Sequence, residues 1–531
     1  MRLMRALAFT AILLLLPACG QTQEITLDDE QQGTWARLWE EHQGHKLIME
    51  FSARHAPGGA ANTMALTGIN VIPMTGENVL EGYTVITRDG LIAEIGPASE
   101  VDIPADAGVV AASNHYLVPG LVEAHSHTIS SLEQFLVYLT RGVTTLREMD
   151  GWPWMLEARA GAAQNKLLIP NLYVTGHILS HRAWDFYMTQ VNTEDQVRAL
   201  VRQQAADGYD FIKVHNSMPE PLFSAMFEAA DAAGLDVVGH IPNEILIADA
   251  VRLGMRTNEH FKGYLFDETL DITQQDYVAA TAGSDLWNAP SFSNHHEHLR
   301  GEEALELVTE ENSLRLVPRW LRNMWLEQAR GPVDKLTALR QTIYPKSKKI
   351  FADLKPVTDK FFAGTDTGTY AFQVPGYALQ EEVRIFESLG LSPFEALKTA
   401  TVNSAIAMRK ENEFGTIETG KRADLLLVED NPLDGAKNLA DIAGVMVRGV
   451  WLDAEDLREI ESRLEEAFGD ENEIPAPTAA ALENLASEIE ALKEDGFPYP
   501  DYHLEEVEAL LDAAGLNDLA ARVTALRRGA G

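Results

Sequence analysis

LVPGLVEAHSHT (residues 117–128) is an apolar run that stops abruptly at two histidines one residue apart. Residues i and i+2 of an extended chain share a face. His125 and His127 therefore point the same way from the end of a strand. Two imidazoles so placed can reach one ion, but a half-exposed strand end that happens to hold two histidines reads the same way. The surrounding chain has to decide.

Outward from this stretch, short apolar segments alternate with helix-like ones. Strands are expected at LVEAH (121–125), VTTLRE (143–148), LYVTG (172–176), FIKVH (211–215), DVVGH (236–240), RTNEH (256–260), LWNAPSF (286–292) and FFAGTD (361–366). Eight strands alternating with helices are the pattern of a closed, parallel (β/α)8 TIM-like barrel. The span from His125 to Asp366 is close to the ~250 residues typical of one. Residues 293–360 interrupt the even spacing, with helical pattern in RWLRNMWLEQ (319–328) and KLTALRQTIY (335–344). An insertion there would sit over the C-terminal face of the barrel.

The flanks divide the chain further. MALTGINVIPM (64–74) and GYTVITRDGLIAEIGP (82–97) alternate apolar and polar residues around Asp89-Gly90, a hairpin signal. After a helix expected at SPFEALKTATVNSAIAM (392–408), GTIETGKRADLLLVEDNPL (415–433) and GVMVRGVWL (444–452) supply more strands. The expected organisation is an N-terminal segment and linker over 20–63, a composite β-sandwich from 64–115 and 410–452, a barrel over 116–409, and a helical C-terminal extension over 453–531. In that extension Leu457, Ile460, Leu464 and Phe468, then Leu482, Leu485, Ile489 and Leu492, fall at helical spacing. Such stripes read as core or docking faces.

The chain has 531 residues, too many for one ordinary core, and carries 43 basic against 80 acidic residues, a net charge of −37. Phosphate binding needs clustered Lys and Arg, so nucleic acid is excluded as a partner. MRLMRALAFTAILLLLPAC starts basic and continues apolar from Ala6 to Leu16, as an export signal does. Cys19 is the chain's single cysteine, which rules out an internal disulfide. LPAC (16–19) resembles the lipobox of bacterial lipoproteins. That resemblance implies cleavage before Cys19, lipidation of it, and a periplasm-facing protein on a lipid anchor, and Gly20 favours the outer membrane.

The expected strand ends carry His125, His127, Lys213, His240, His260 and Asp366. In a parallel barrel all of these open on one face. Burying such groups without partners is costly, and a divalent metal removes the difficulty, because neutral imidazole and carboxylate are good zinc ligands.

PGLVEAHSH (119–127), GYDFIKVH (208–215), VVGH (237–240), NEH (258–260) and AGTD (363–366), in that order, resemble the amidohydrolase superfamily, as does GTIETGKRADLLLVEDNPL. The likeness covers roughly 64–452 and is strongest to imidazolonepropionase-like and Xaa-Pro dipeptidase-like branches. It implies a metal-dependent hydrolase with two divalent ions, zinc above all. His125, His127 and Asp366 would hold one ion and His240 and His260 the other. Lys213, carboxylated by CO2, would bridge both. An amide or peptide bond of a small substrate, a dipeptide or N-acyl amino acid, would be cleaved by a hydroxide between the ions, with Asp366 moving the proton. Hydrolysis of a cyclic amide, imide or lactone uses the same ligands. A non-catalytic binding protein fits poorly with six filled positions. The resemblance also suggests His181 as a substrate contact, against a loop histidine, and Tyr264, four residues past His260, is a further candidate contact, against wall packing. Glu123 and His215 read as supporting groups, and His295, His296 and His298 as a polar loop. A homo-oligomer stays open.

Overall fold

The computed structural model describes residues 43–56, 63–128, 132–182, 188–264, 272–294, 313–318, 322, 335–368, 372–469 and 521. Cys19, His295, His296, His298, RWLRNMWLEQ apart from Arg322, and the stripe from Leu482 to Leu492 lie outside these. The chain divides into two units. One comprises residues 1–38, 182–190 and 470–531, and the other residues 39–181 and 191–469.

Eight strands from both sides of the central region share one sheet. They are β1 (Met64–Val71), β2 (Leu80–Arg88), β3 (Leu91–Pro97), β4 (Gly108–Ala111), β5 (Tyr116–Pro119), β15 (Leu425–Val428), β16 (Ile442–Val447) and β17 (Val450–Asp453), in the order β17-β16-β15-β5-β1-β2-β3, with β4 also on β1. Asp89 and Gly90 both have positive φ, 53° and 78°, as a two-residue hairpin between antiparallel β2 and β3 requires. β5 pairs antiparallel with β15, Val118 opposite Leu426, and Leu66, Ile69, Val85, Leu117, Leu425 and Met446 bury one apolar cluster. Gly120 is where the chain leaves this sheet. A Cβ there would lie 2.2 Å from Thr144 Oγ1, so only glycine passes.

The central region is parallel. β6 (Leu121–Ser126), β7 (Val143–Glu148) and β8 (Asn171–Val174) form one sheet. β9 (Ile178–Ser180), β11 (Phe211–Val214), β12 (Asp236–Gly239), β13 (Thr257–Glu259) and β14 (Trp287–Ala289) follow one another in a second, while β10 (Met188–Gln190) belongs to the first unit. β6 and β7 are buried along their whole length, as strands covered on both faces are. Val122, Ala124, Phe211, Val238, Ala289 and Phe362 pack in one cluster. Capped helices separate the strands. Thr193 and Gln196 form a capping box for Glu194–Asp207, and Gly208 ends it in the left-handed conformation, φ 90°.

Several expectations need correction. FFAGTD is not a regular strand. Its strand pairing is reduced to two isolated bridges, Asn288–Phe361 and, one residue past the segment, Ser126–Thr367. Gly364 presses against His125, where a Cβ would lie 2.7 Å from His125 Cβ, and Asp366 turns left-handed, φ 64°. RTNEH and LWNAPSF are shorter than expected because His260 (φ 58°) and Ser291 (φ 52°) leave the extended region and Pro290 has no N–H to donate. The helix expected over 392–408 is two, Pro393–Thr399 and Val402–Ala407, broken at Thr401.

The segment read as a polar linker also contains a helix, Gln43–His55. Leu47, Ile48 and Phe51 are buried, and its polar face meets the helix Ala454–Gly469 through Arg54–Glu459 at 2.5 Å and Glu50–Arg463 at 3.0 Å. Leu457, Ile460, Leu464 and Phe468 of that second helix are buried as their spacing predicts. Its Glu461 ties Arg141 to Arg315.

Candidate metal centre

His125 and His127 leave β6 into buried space. Their Nε2 atoms are 3.3 Å apart, and Asp366 Oδ1 lies 3.3 Å from the first and 3.1 Å from the second. Among the described residues, the ligand atoms of His125, His127 and Asp366 lie within 4.8 Å of one another, the spacing a metal ion needs. The β6 alternation puts both histidines on one face, and the bridge Ser126–Thr367 brings residue 366 beside them.

A second pair adjoins this group. His260 Nε2 is 3.6 Å from Asp366 Oδ2, and the His240 ring stands 5.2 Å from that of His260. Lys213, on β11, is 1% exposed. Its stem passes over Gly239, where a Cβ would lie 2.8 Å from Lys213 Cδ and 2.3 Å from Val214 O, at φ +115°. Gly239→Ala is expected to cost about 1–3 kcal/mol and to displace Lys213. Thermal unfolding and metal content would both fall, and an unchanged pair of values would contradict the tight approach.

Three candidate ring ligands have Nδ1 hydrogen-bonded elsewhere, and the fourth, His127, has Nδ1 within ion-pair distance of a carboxylate. His125 Nδ1 lies 3.0 Å from Glu259 Oε2, His127 Nδ1 3.2 Å from Asp150 Oδ1, His240 Nδ1 2.6 Å from Asn216 Oδ1, and His260 Nδ1 2.9 Å from Ser291 Oγ. Partners of this kind fix tautomer and ring orientation and leave Nε2 for an ion. The donor set, neutral nitrogens plus a carboxylate oxygen, suits zinc-like ions.

The electrostatics agree. Burial, then His215 and Lys213, holds His240 well below its ordinary value. Burial holds His260 low against the pull of Asp366. Both imidazoles are neutral, as ligands must be. Burial would lower His127 too, but Asp150 and Asp366 outweigh it and raise it to about 10. Burial would raise Asp366, yet the facing histidines hold it well below its usual range. Burial pushes Lys213 down to about 8, against Glu259 and Asp366.

Sequence reading missed the support beneath the rings. Arg147 donates from Nη2 to Glu259 Oε1 at 2.8 Å and from Nε to Ala124 O at 2.6 Å. Asn294 Nδ2 donates to Asp366 Oδ2 at 3.0 Å. Glu259 stood in plain view beside His260, but strand alternation sends neighbours to opposite faces. The left-handed turn at His260 lets both face the centre. Arg147 carried no signal beyond a charge in an apolar run.

The remaining candidates sit as follows. Glu123 supports backbone, not rings. It accepts from His125 N–H at 3.1 Å and Thr365 N–H at 2.9 Å, and burial pushes it up to about 8. The His215 ring lies 4.2 Å from that of His240. His181 is held by backbone, its N–H on Ser217 O at 2.7 Å and its Nδ1 3.0 Å from Val191 O. The Tyr264 hydroxyl meets Thr281 Oγ1 at 2.8 Å, and its ring packs against Phe261 and Tyr277.

A profile of the amidohydrolase family matches residues 116–452, the segment that carries all of these groups. The chain belongs to the amidohydrolase family. It is 27% identical over 398 residues to a 5-methylthioadenosine/S-adenosylhomocysteine deaminase of Caldanaerobacter subterraneus subsp. tengcongensis, covering 69% of this chain and 85% of that one. Among solved structures it is similar to a bottromycin amidohydrolase (TM-score 0.66, 25% identity, 81% of this chain and 94% of that one). It also shares its fold with a Xaa-Pro dipeptidase with bound methionine in the active site (TM-score 0.57, 18% identity, 74% of this chain and 100% of that one). Amidohydrolase neighbours imply a TIM-barrel type domain, and membership supports hydrolase activity. The buried His125–His127–Asp366 cluster fits the metal ions such enzymes use.

Proposed function

We propose that this amidohydrolase is a two-metal enzyme that cleaves an amide or peptide bond of a small substrate, a dipeptide or N-acyl amino acid. Its parallel strands would close into an eight-stranded barrel. The Thr175–Phe211 bridge joins the two sheets on one side, and residues 361–367 on the other. His125, His127 and Asp366 would hold one ion, His240 and His260 the second. Bound divalent ions lower the pKa of water from 15.7 toward about 7 and polarise a carbonyl. Asp366 would accept the water proton and deliver it to the leaving nitrogen, with its Oδ2 steadied by Asn294.

The observation that carries the two-metal reading is Lys213, buried among these ligands. A protonated lysine is a donor only, and beside dications it is repelled by roughly 4 kcal/mol per unit-charge pair at 4 Å and an effective dielectric near 20. Its lowered pKa raises the share of free amine, the form that adds CO2 to give a carbamate and release a proton. The carbamate is anionic and offers oxygen ligands. Lys213→Ala is expected to lose most of the bound metal and activity, with partial rescue by short carboxylic acids. Native mass spectrometry of the metal-loaded protein should show added CO2 on Lys213. An unmodified Lys213 with two full metal sites and normal turnover would refute the carbamate.

Substrate class is tested by incubating zinc-loaded protein with N-acyl amino acids, Xaa-Pro dipeptides, lactones, cyclic ureides and amino-substituted purines. Cleavage of acyclic amides supports the proposal. Ammonia release from purines alone would place the enzyme with its deaminase relative instead.

A further inference from the structure

The loop after β14 carries two groups that reach the centre. Ser291 Oγ lies 2.9 Å from His260 Nδ1, and Asn294 Nδ2 donates to Asp366 Oδ2 at 3.0 Å. A serine and an asparagine three residues apart thus touch both halves of the candidate ligand set. Ser291 is left-handed, φ 52°, a costly conformation that persists only where its surroundings enforce it.

The enforcement comes from the helix Tyr377–Ser388. Its Glu382 is fully buried. One carboxylate oxygen accepts the Phe292 N–H at 3.0 Å and the other the Ser293 N–H at 2.6 Å. These are the two residues between Ser291 and Asn294. One turn on, the Phe386 ring lies 5.5 Å from that of Phe292, which is itself fully buried. Residues four apart share a helix face, so one face of this helix grips the loop by main chain and by ring. Burying a carboxylate is costly unless it is hydrogen-bonded. Burial pushes Glu382 up to about 7, and the two N–H bonds pull the other way. An apolar residue would fill that place at lower cost, but it could not hold two successive N–H groups. The Phe292 ring fixes where the loop lies. The carboxylate fixes how its backbone is turned, and that turn decides where the side chains on either side of it point.

Resting on the function proposed above, we infer that Glu382 is a positioning residue for the metal centre. It clamps the main chain of Phe292 and Ser293 and so sets Ser291 against His260 and Asn294 against Asp366. Its action runs through the loop, because both carboxylate oxygens are engaged by that main chain.

The test reads zinc affinity apart from turnover. Full-chain protein is stripped of metal, and zinc is returned in competition with a chromophoric chelator. Glu382→Gln keeps the shape but sets an NH2 donor against one of the two N–H groups. It should weaken zinc binding about tenfold or more, as loss of the partners that orient metal ligands does. Ser291→Ala combined with Asn294→Ala removes the groups through which Glu382 acts. In that background the further loss from Glu382→Gln should shrink to under about twofold. A residue that only stabilises the fold would cost the same factor in both backgrounds, so equal losses overturn the inference. Zinc affinity within about twofold of the unaltered protein in Glu382→Gln overturns it as well. Should Glu382→Gln fail to fold, the Ser291→Ala, Asn294→Ala variant decides alone. A tenfold loss there supports the inference, and unaltered affinity leaves Glu382 nothing to position and overturns it. Absence of amide hydrolysis in a parallel assay would count against the proposed function, while the zinc measurements would still decide the role of Glu382.

Discussion

Asp366→Asn is expected to lower kcat by at least about 10²-fold, the lower range for loss of a general acid–base, with the fold intact. Asp366 stands at φ 64°, a conformation that asparagine tolerates as well as aspartate does. Its backbone N–H donates to His125 O at 2.8 Å, and the substitution keeps that bond. The change therefore falls on the carboxylate alone. That group has one oxygen between His125 and His127 and the other near His260 and Asn294. A neutral amide oxygen binds a cation less well and cannot carry a proton between water and leaving group. Steady-state kinetics on metal-replete protein, with melting temperature as control, checks this. Near-normal turnover would remove Asp366 from the proton path.

Arg147→Met is expected to cost about 3–5 kcal/mol, the penalty for breaking a buried ion pair by removing one partner. Arg147 is fully buried, and its guanidinium bonds Glu259, Thr257 Oγ1 and Ala124 O while lying 5.1 Å from the Phe362 ring. Burial pulls Arg147 down and Glu259 pulls it back up. Glu259 is held below its usual range, against burial, by Arg147 and then His125. Methionine would fill the space but strand a buried carboxylate beside His125. Glu259→Gln added to Arg147→Met should restore part of the loss, so the double variant costs less than the sum of the two singles. Denaturant unfolding measures all three. A loss under about 1 kcal/mol for Arg147→Met would mean that the pair is not what holds His125 in place.

The gathering of His125, His127 and Asp366 was legible because side-chain period and strand ends are local properties. His125 and His127 meet Asp366 as strand alternation and the order of segments imply. What lay beyond the sequence was backbone curvature. Four residues at the centre or beside it, His260, Phe261, Ser291 and Asp366, are left-handed, and no propensity marks a phenylalanine or a serine for that conformation. These turns cut short three expected strands and swing Glu259 toward the centre. Long-range pairs were equally hidden. Arg147 reaches Glu259 across more than a hundred residues of sequence, and the helix Gln43–His55 shows its purpose only when Ala454–Gly469 lies against it.

The central claim is that this chain holds two divalent ions and that its hydrolysis depends on them. Metal content per chain, measured by inductively coupled plasma mass spectrometry on active protein during stepwise chelation, tests it most directly. The account predicts two divalent ions per chain in fully active protein, with amide hydrolysis falling as they are removed and returning when zinc is restored. Full hydrolytic activity in protein stripped of divalent metal would contradict it.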